Sequence, residues 1–200
     1  MYFCQIVVNN YLKHIRMKNI LFIVGSLRKQ SFNRQLAAIA EKMLADKFNI
    51  QYLAFEDVPL MNQDLETNTP APVARVRKEV LAADGIWIFT PEYNYSYPGL
   101  LKNLLDWLSR PMDIRDFTNP TAAVGKKVTV SGAGGNNQTA SCRAKLNDLL
   151  EFMKMQVMKE PQTGIALGVE AWTKGEFNLT EEQVAQLKAQ AEKFAAFVNE

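Results

Sequence analysis

Cysteine and histidine are nearly absent from this chain of 200 residues, which contains two cysteines, Cys4 and Cys142, and one histidine, His14. Two cysteines cannot build a disulfide framework, and this favours a reducing compartment such as the cytoplasm. A structural zinc site needs four Cys or His ligands, and a cysteine-ligated iron–sulfur cluster needs about four thiolates. We therefore expect no metal site, and if the protein is an enzyme we expect a bound cofactor to carry the chemistry.

Long apolar runs and a large net charge are also missing. No stretch approaches 18 consecutive apolar residues, so the sequence predicts no transmembrane helix. The 23 basic and 21 acidic residues leave a net charge of +2, which is too small to indicate a nucleic-acid or membrane partner. With 48% hydrophobic and 22% charged residues, the composition is that of an ordinary globular domain.

The first 16 residues differ from the rest of the chain. They lack the basic start and the small-residue cleavage site of a signal peptide. Met17-Lys18-Asn19 resembles a natural protein start, because an apolar strand-like run follows it directly. We therefore expect residues 1–17 to be an extension outside the core fold and residues 18–200 to form a single domain.

Strand-like and helix-like segments alternate along the chain. Apolar runs predict strands at residues 20–24, 50–55, 85–90, 127–131 and 155–158. Apolar residues at helical spacing predict helices at residues 32–46, around 73–81, at 99–109, at 139–153 and from Thr180 onward, where Gln183 completes a capping box. This alternation predicts an α/β fold, a parallel sheet with helices on both faces. Such folds bind ligands at the carboxyl ends of their strands.

The loop after the first strand, residues 25–34, brings cations to the start of a helix. Arg28, Lys29 and Arg34 lie there, and no acidic residue follows before Glu41. A helix N-terminus favours negative charge, so each cation costs a few tenths to about 1 kcal/mol unless an anion binds among them. Further hydrogen-bond donors are Ser26, Ser31 and Asn33. The loop therefore predicts a phosphate site.

The type of phosphate follows from what this loop lacks. It has no Gly-Lys-Ser/Thr sequence of a P-loop, and Gly25 is its only glycine, which excludes a dinucleotide fingerprint. It has no cysteine that could act as a phosphatase nucleophile. The loop is thus predicted to hold a phosphomonoester without reacting with it. The alternative is that Ser31 is a plain helix cap and that Arg28 and Lys29 are solvated.

Tyrosines crowd the loop after the third strand. Tyr93, Tyr95 and Tyr97 lie within five positions, together with Glu92 and Asn94. Tyrosine offers a flat apolar face and a hydroxyl, so this loop suits a planar heteroaromatic ligand with polar edges. The alternative is a tyrosine-rich subunit interface, and both readings are compatible.

The loop after the fourth strand is rich in glycine. Gly132, Gly134 and Gly135 lie within residues 131–137. Glycine permits close approach of the backbone to a ligand. By itself this signal is weak, but the loop is predicted to lie at the same edge of the sheet as the other two.

Taken together, these residues resemble the NAD(P)H-dependent FMN reductases with a flavodoxin-like fold, a group that includes quinone, azo-dye and chromate reductases. The resemblance covers about residues 18–199 and depends on two motifs: Gly25-Ser26-Leu27-Arg28 continuing to Ser31-Phe32-Asn33, and Pro91-Glu92-Tyr93-Asn94-Tyr95 continuing to Pro98-Gly99-Leu100-Leu101-Lys102-Asn103. It implies a three-layer αβα sandwich with a five-stranded parallel sheet of order 2-1-3-4-5. It also implies a homodimer or homotetramer.

The resemblance assigns site residues position by position. Ser26, Arg28, Ser31 and Asn33 would bind the FMN phosphate. Pro91, Glu92, Tyr93, Asn94 and Tyr95 would line the isoalloxazine, and Ser131, Gly132 and Gly135 would close its pyrimidine side. NAD(P)H would reduce the flavin, and a small acceptor such as a quinone, azo compound, metal oxyanion or free flavin would reoxidise it in a ping-pong reaction. No side chain is expected to act as a catalytic residue, because hydride transfer occurs at the flavin N5.

Two other functions remain open at this point. One is a non-catalytic FMN-binding electron carrier of flavodoxin type, against which the net charge of +2 and the tyrosine-rich loop speak. The other is a flavin-free regulator or interaction module that has kept the fold.

Overall fold

The computed structural model describes residues 17–116 and 118–200, so the expected extension at residues 1–16, with Cys4 and His14, lies outside the described residues. Six strands form one parallel sheet: β1 Lys18–Val24, β2 Phe48–Tyr52, β3 Gly85–Phe89, β4 Lys127–Gly134, β5 Gln156–Val157 and β6 Gly164–Ala166. Their order is β2-β1-β3-β4-β5, and β6 pairs with β4. This confirms the predicted order 2-1-3-4-5 and adds a sixth strand.

Helices cover both faces of the sheet. They are α1 Phe32–Leu44, α2 Ala71–Ala82, α3 Gly99–Leu108, α4 Ala140–Phe152, α5 Val169–Lys174 and α6 Glu181–Asn199. One buried cluster joins the sheet to α2, α3 and α4, and the other joins it to α1, α5 and α6. The three-layer αβα sandwich is therefore confirmed. Among the described residues, no helix is both long and apolar enough to cross a membrane.

The central strands are apolar on both sides because both faces of the sheet are covered. Every residue of β3 is buried, and Trp87 and Phe89 on this strand stack with their ring centroids 5.2 Å apart. Strands buried on both faces read as continuous apolar runs rather than alternating ones. This explains why β1 and β3 were recognisable in the sequence, whereas the half-exposed β2 begins at Phe48, two residues before the predicted start.

The fifth position of the sheet is divided between two short strands. β5 pairs with the start of β4, where Lys127 lies opposite Gln156. β6 pairs with its end, where Gly132 lies opposite Gly164. β4 therefore extends to Gly134 instead of ending at the predicted residue 131. β6 and α5 were not predicted, because three and six residues are too few to show a strand or helix period.

The last helix begins as predicted. The Thr180 side chain accepts a hydrogen bond from the backbone N–H of Gln183, and the Gln183 side chain accepts one from the backbone N–H of Thr180. Glu181 and Glu182 add negative charge to its first turn. This capping box stabilises the start of α6, which packs its buried face against α1 and β4.

Candidate functional site

β1 and β3 end side by side at the carboxyl edge of the sheet, and β4 continues past them to Gly134. Val24 pairs with Phe89, and Phe89 pairs with Ser131. Just beyond them, the N–H of Gly25 donates to the carbonyl of Phe89 at 2.8 Å, and the N–H of Thr90 donates to that of Ser131 at 2.9 Å. The loops that follow β1 and β3 therefore start side by side. The loop after β4 starts beyond Gly134, at the same edge of the sheet, as the strand pattern predicts.

The first loop presents exposed cations at the N-terminus of α1. Ser31 is the N-cap, and its Oγ accepts a hydrogen bond from the N–H of Arg34 at 3.2 Å. Arg28, Lys29 and Arg34 are exposed, and among the described residues no carboxylate lies within salt-bridge distance of them. The first turn of α1 contains no acidic residue. The positive end of the helix and these cations thus face the same open edge.

Two of these cations rest on aromatic rings instead of carboxylates. The Arg28 guanidinium lies 4.6 Å from the centroid of the Phe32 ring, and that of Arg34 lies 5.3 Å from the Tyr52 ring. Cation–π contacts of this kind hold a guanidinium in place while leaving its N–H groups free to donate. Ring contacts therefore restrict both guanidinium groups without using their N–H donors.

Asn33 connects α1 to β4 instead of facing the loop. Its side-chain amide donates to the carbonyl of Ala133 at 3.0 Å, and its amide oxygen accepts the N–H of Ala133 at 2.8 Å. The residue is 3% exposed. This reciprocal pair fixes the start of α1 against the end of β4, so Asn33 sets the spacing between the first and third loops of the site.

The second loop presents its tyrosines on a tight turn. Tyr93 and Ser96 exchange both backbone hydrogen bonds, and the two residues between them, Asn94 and Tyr95, have φ of 51° and 59°. Positive φ at both central positions is the pattern of a type I′ turn. Such φ values are unusual for tyrosine and carry a local cost, which is typical of functional loops. The turn leaves Tyr93 55% and Tyr95 69% exposed.

Glu92 connects the second loop to the third. Its carboxylate accepts the backbone N–H of Cys142 at 2.8 Å and a hydrogen bond from the side-chain amide of Asn137. Cys142 lies in the first turn of α4, whose N-cap Thr139 makes no side-chain cap bond. Glu92 therefore caps α4 from outside the helix and satisfies an N–H that would otherwise lack an acceptor.

The third loop is shorter than predicted, because β4 is longer. Ser131 lies inside β4 and is fully buried; its Oγ accepts the indole N–H of Trp87 at 3.0 Å and donates to Gln190 at 2.8 Å. Gly132 is also buried, and a Cβ there would lie 2.5 Å from the carbonyl oxygen of Thr90. Gly135 alone of the three predicted residues is exposed, with no atom within 4 Å of a Cβ position.

Cys142 lies next to the site but is not a reactive thiol. It is fully buried, and its sulfur lies 3.8 Å from the hydroxyl of Thr90. Burial raises the pKa of this thiol to about 12. Because the thiolate is the reactive form of cysteine, a protonated and buried Cys142 serves packing rather than redox chemistry.

Sequence reasoning missed residues that hold the site together. Gln190 of α6 is fully buried and hydrogen bonds to Ser131 and to the backbone of β4. The sequence could have indicated this role, because Gln190 is a polar residue on the otherwise apolar face of α6 that includes Leu187 and Phe194. Phe177, which stacks on Phe32 with ring centroids 5.7 Å apart, had no signal because its partner is distant in sequence.

Comparisons with known proteins show the family of this chain. The family described as NADPH-dependent FMN reductase matches residues 18–170. The chain belongs to this family. It is an oxidoreductase family, so the predictions of an enzyme, of FMN as cofactor and of NAD(P)H as reductant are confirmed at the level of the family.

Individual members of the NADPH-dependent FMN reductase family are similar over most of the chain. A quinone reductase from Escherichia coli is 37% identical over 147 residues, which cover 72% of this chain and 74% of that protein. A 2-hydroxy-1,4-benzoquinone reductase from Burkholderia sp is 34% identical over 144 residues, 72% of this chain and 75% of that protein.

Solved structures give the same result for the fold. The flavoenzyme NAD(P)H:(acceptor) oxidoreductase FerB from Paracoccus denitrificans superposes with a TM-score of 0.79 at 29% identity, covering 91% of this chain and 97% of that one. An archaeal flavodoxin superposes with a TM-score of 0.57 at 13% identity, covering 91% of this chain and 99% of that one, and this likeness concerns the fold alone.

Proposed function

We propose that this protein transfers electrons from NAD(P)H through bound FMN to a small acceptor by a ping-pong mechanism. One observation carries the proposal: three exposed cations without carboxylate partners in the described part of the chain meet the positive end of α1. A site of that charge, opposite exposed tyrosines, suits a ligand with a phosphate at one end and an aromatic ring at the other. The quinone reductases similar to this chain favour a quinone as the acceptor.

The residues at the sheet edge fit the chemistry of FMN. Arg28 and Lys29, with Ser26 and the free N–H groups at the start of α1, would hold the phosphate. Tyr93, Tyr95 and the neighbouring residues Pro91 and Asn94 would line the ring system, and the open space at Gly135 would let the backbone approach its pyrimidine edge. The donors are cationic and the walls are aromatic, as this ligand requires.

Five of the residues expected to contact the ligand are better assigned to support of the scaffold. Ser31 caps α1, Asn33 connects α1 to β4, and Glu92 caps α4. Ser131 and Gly132 lie within β4, with the Ser131 hydroxyl bound to Gln190. We propose that these residues set the distances between the three loops, and that the direct contacts come from their exposed neighbours.

Within the described residues, the protein contributes binding and orientation rather than a nucleophile. When bound, FMN supplies the centre that accepts hydride from NAD(P)H and passes the electrons to the acceptor. The exposed Tyr93 and Tyr95 leave an open surface on which a planar nicotinamide or quinone could stack. Cys142 remains a protonated thiol at neutral pH, so it does not compete for the electrons.

Rapid anaerobic mixing separates the enzyme from the electron carrier. We expect FMN-loaded protein to lose its visible flavin absorbance rapidly with NADPH or NADH, and to regain it when a quinone is added. A panel of quinones, azo compounds, chromate and free flavin would then rank the acceptors. Slow bleaching with both nicotinamides would favour the carrier, and a protein that cannot be loaded with FMN would contradict both.

Arg28→Ala tests the phosphate site. We expect it to weaken FMN binding by about 1.5–3 kcal/mol, the scale of a hydrogen bond to a charged group. Riboflavin lacks the phosphate, so its affinity should be unchanged. The control is Lys42→Ala, which removes an exposed cation from the other end of α1. Unchanged FMN affinity in Arg28→Ala would remove this residue from the site.

We further propose that the protein is a homodimer or homotetramer. Large apolar side chains remain exposed at and beyond the carboxyl edge of the sheet, each more than half exposed: Leu27, Tyr93, Tyr95, Val169 and Trp172. Such surfaces commonly mark association sites. Analytical ultracentrifugation of the purified protein would distinguish these assemblies from a monomer.

A further inference from the structure

Phe32, the first residue of α1, is the platform for Arg28 and is itself held by other rings. The Arg28 guanidinium lies 4.6 Å from its centroid. Phe177 stacks on it at 5.7 Å with an interplanar angle of 28°, and Trp172 meets it edge-on at 6.2 Å. The ring that positions the arginine thus depends on residues that lie far along the chain.

The segment that carries these rings, residues 171–178, touches the phosphate loop at a second point. A Cβ on Gly175, the C-cap of α5, would lie 3.5 Å from the side-chain oxygen of Gln30. The family match ends at residue 170, so Trp172, Gly175 and Phe177 lie beyond it. Phe177 also borders a cavity of about 160 Å³.

We infer that Phe177 is a positioning residue for the FMN phosphate site and acts through Phe32 on Arg28. This inference rests on the proposed function. Arg28 is exposed and has no carboxylate partner among the described residues, so its ring contact is the interaction that restricts its guanidinium. Restricting a long side chain in its binding geometry raises affinity, because less conformational freedom is lost when the ligand binds.

Two contacts that do not involve the Phe177 side chain hold the segment in place. Ala171 is 5% exposed and joins the core cluster that contains Phe32. Gly175 has a φ of +76°, and its N–H donates to the carbonyl of Ala171 at 3.1 Å, which closes α5 and turns the chain toward Phe177. The segment thus keeps its path in a variant that changes only the ring of Phe177.

Phe177→Leu tests the inference through the difference between two flavins. Titration of flavin-free protein with FMN should give a dissociation constant about two- to five-fold higher than that of the wild type, the range of an exposed cation–π contact. The dissociation constant of riboflavin should not change, because riboflavin has no phosphate for Arg28 to bind. Equal changes for both flavins, or no change for FMN, would overturn the inference.

Phe197→Leu is the matched control. Phe197 is also a half-buried phenylalanine packed against the same core cluster, and like Phe32 it carries a cation, the amine of Lys127 at 5.3 Å. Lys127 begins β4, so this pair lies at the opposite edge of the sheet. The control should leave both flavin affinities unchanged. If Phe177→Leu folds poorly, Phe32→Leu removes the platform itself and should give the same difference between FMN and riboflavin.

A double-mutant cycle separates this inference from the proposed function. In an Arg28→Ala background, Phe177→Leu should have no further effect on FMN affinity, because the group it positions is gone. An equal loss in both backgrounds would overturn the positioning role while leaving the phosphate site intact. An Arg28→Ala variant with wild-type FMN affinity would instead contradict the role of Arg28 in the proposed phosphate site.

Discussion

Gln190→Leu is expected to lower the free energy of unfolding by about 3–5 kcal/mol. Gln190 is fully buried, and all its polar atoms are used. Its amide group donates to Thr129 Oγ1 at 2.9 Å and to the carbonyl of Val130 at 3.0 Å. Its oxygen accepts the Ser131 hydroxyl at 2.8 Å and the N–H of Thr163 at 2.7 Å.

The cost comes from the partners that stay behind. Leucine fills a similar volume, but the Thr163 N–H and the Ser131 hydroxyl would be buried without an acceptor, at about 1–3 kcal/mol each. Equilibrium unfolding in urea measures the change. Gln186→Leu, at an exposed position one turn earlier on α6, should change stability by less than about 0.5 kcal/mol. A decrease in the free energy of unfolding of less than about 1 kcal/mol in Gln190→Leu would contradict a stabilising role for these four hydrogen bonds.

Gly132→Ala is expected to cost about 3 kcal/mol or more, because the added methyl group has no space. Its Cβ would lie 2.3 Å from Thr139 Oγ1 and 2.5 Å from the backbone carbonyl oxygen of Thr90. A threonine side chain can rotate away, but the carbonyl belongs to the backbone directly after β3. The strand ends must therefore separate at the edge that carries the site.

Gly99→Ala is the control for this prediction. Gly99 begins α3, and no atom lies within 4 Å of its Cβ position. Alanine favours the helix there, so stability should be unchanged or slightly higher. Thermal unfolding of both variants checks the contrast. Similar melting temperatures for Gly132→Ala and the wild type would contradict the prediction, because β3 and β4 would then have moved apart at little cost in stability.

Both substitutions affect the site without touching its exposed surface. Gln190 holds the end of β4 to α6, and Gly132 allows β4 to lie close to the residue after β3. The loops that follow these strands carry Gly135 and Tyr93. Their separation decides whether one planar ligand can contact both, so losses in stability and in flavin binding should appear together.

The location proposed for the site follows from local chemistry. Arg28, Lys29 and Arg34 at a helix start conflict with the helix dipole, and such a conflict within one short segment is visible in sequence. The continuous apolar runs of β1 and β3 were equally visible. Both faces of these strands are buried, so apolar residues are not interrupted by polar ones. The parallel sheet then placed the loops after these strands at one edge.

The direction of individual side chains was not predictable in the same way. The resemblance assigns Asn33 to the FMN phosphate, Glu92 to the isoalloxazine and Ser131 to its pyrimidine side. The hydroxyl of Ser131, however, hydrogen bonds to Trp87 and Gln190. Asn33 pairs with Ala133, and Glu92 caps α4. A polar side chain near a site can bind the ligand or hydrogen bond within the protein. Which of the two it does depends on a partner that is distant in sequence.

By itself, the sequence determined the α/β class and, through its resemblance to a family, the strand order, because apolar runs and motifs depend on neighbouring residues. It also predicts a phosphate site in the loop after β1 and an aromatic wall in the tyrosine-rich loop after β3. Only the tertiary structure decided that β4 continues to Gly134, that β6 pairs with it, and that Phe177 reaches Phe32 from beyond the family match. These features arise from contacts between distant segments. These contacts form and stabilise the protein only when the chain has folded, so no local sequence pattern predicts them.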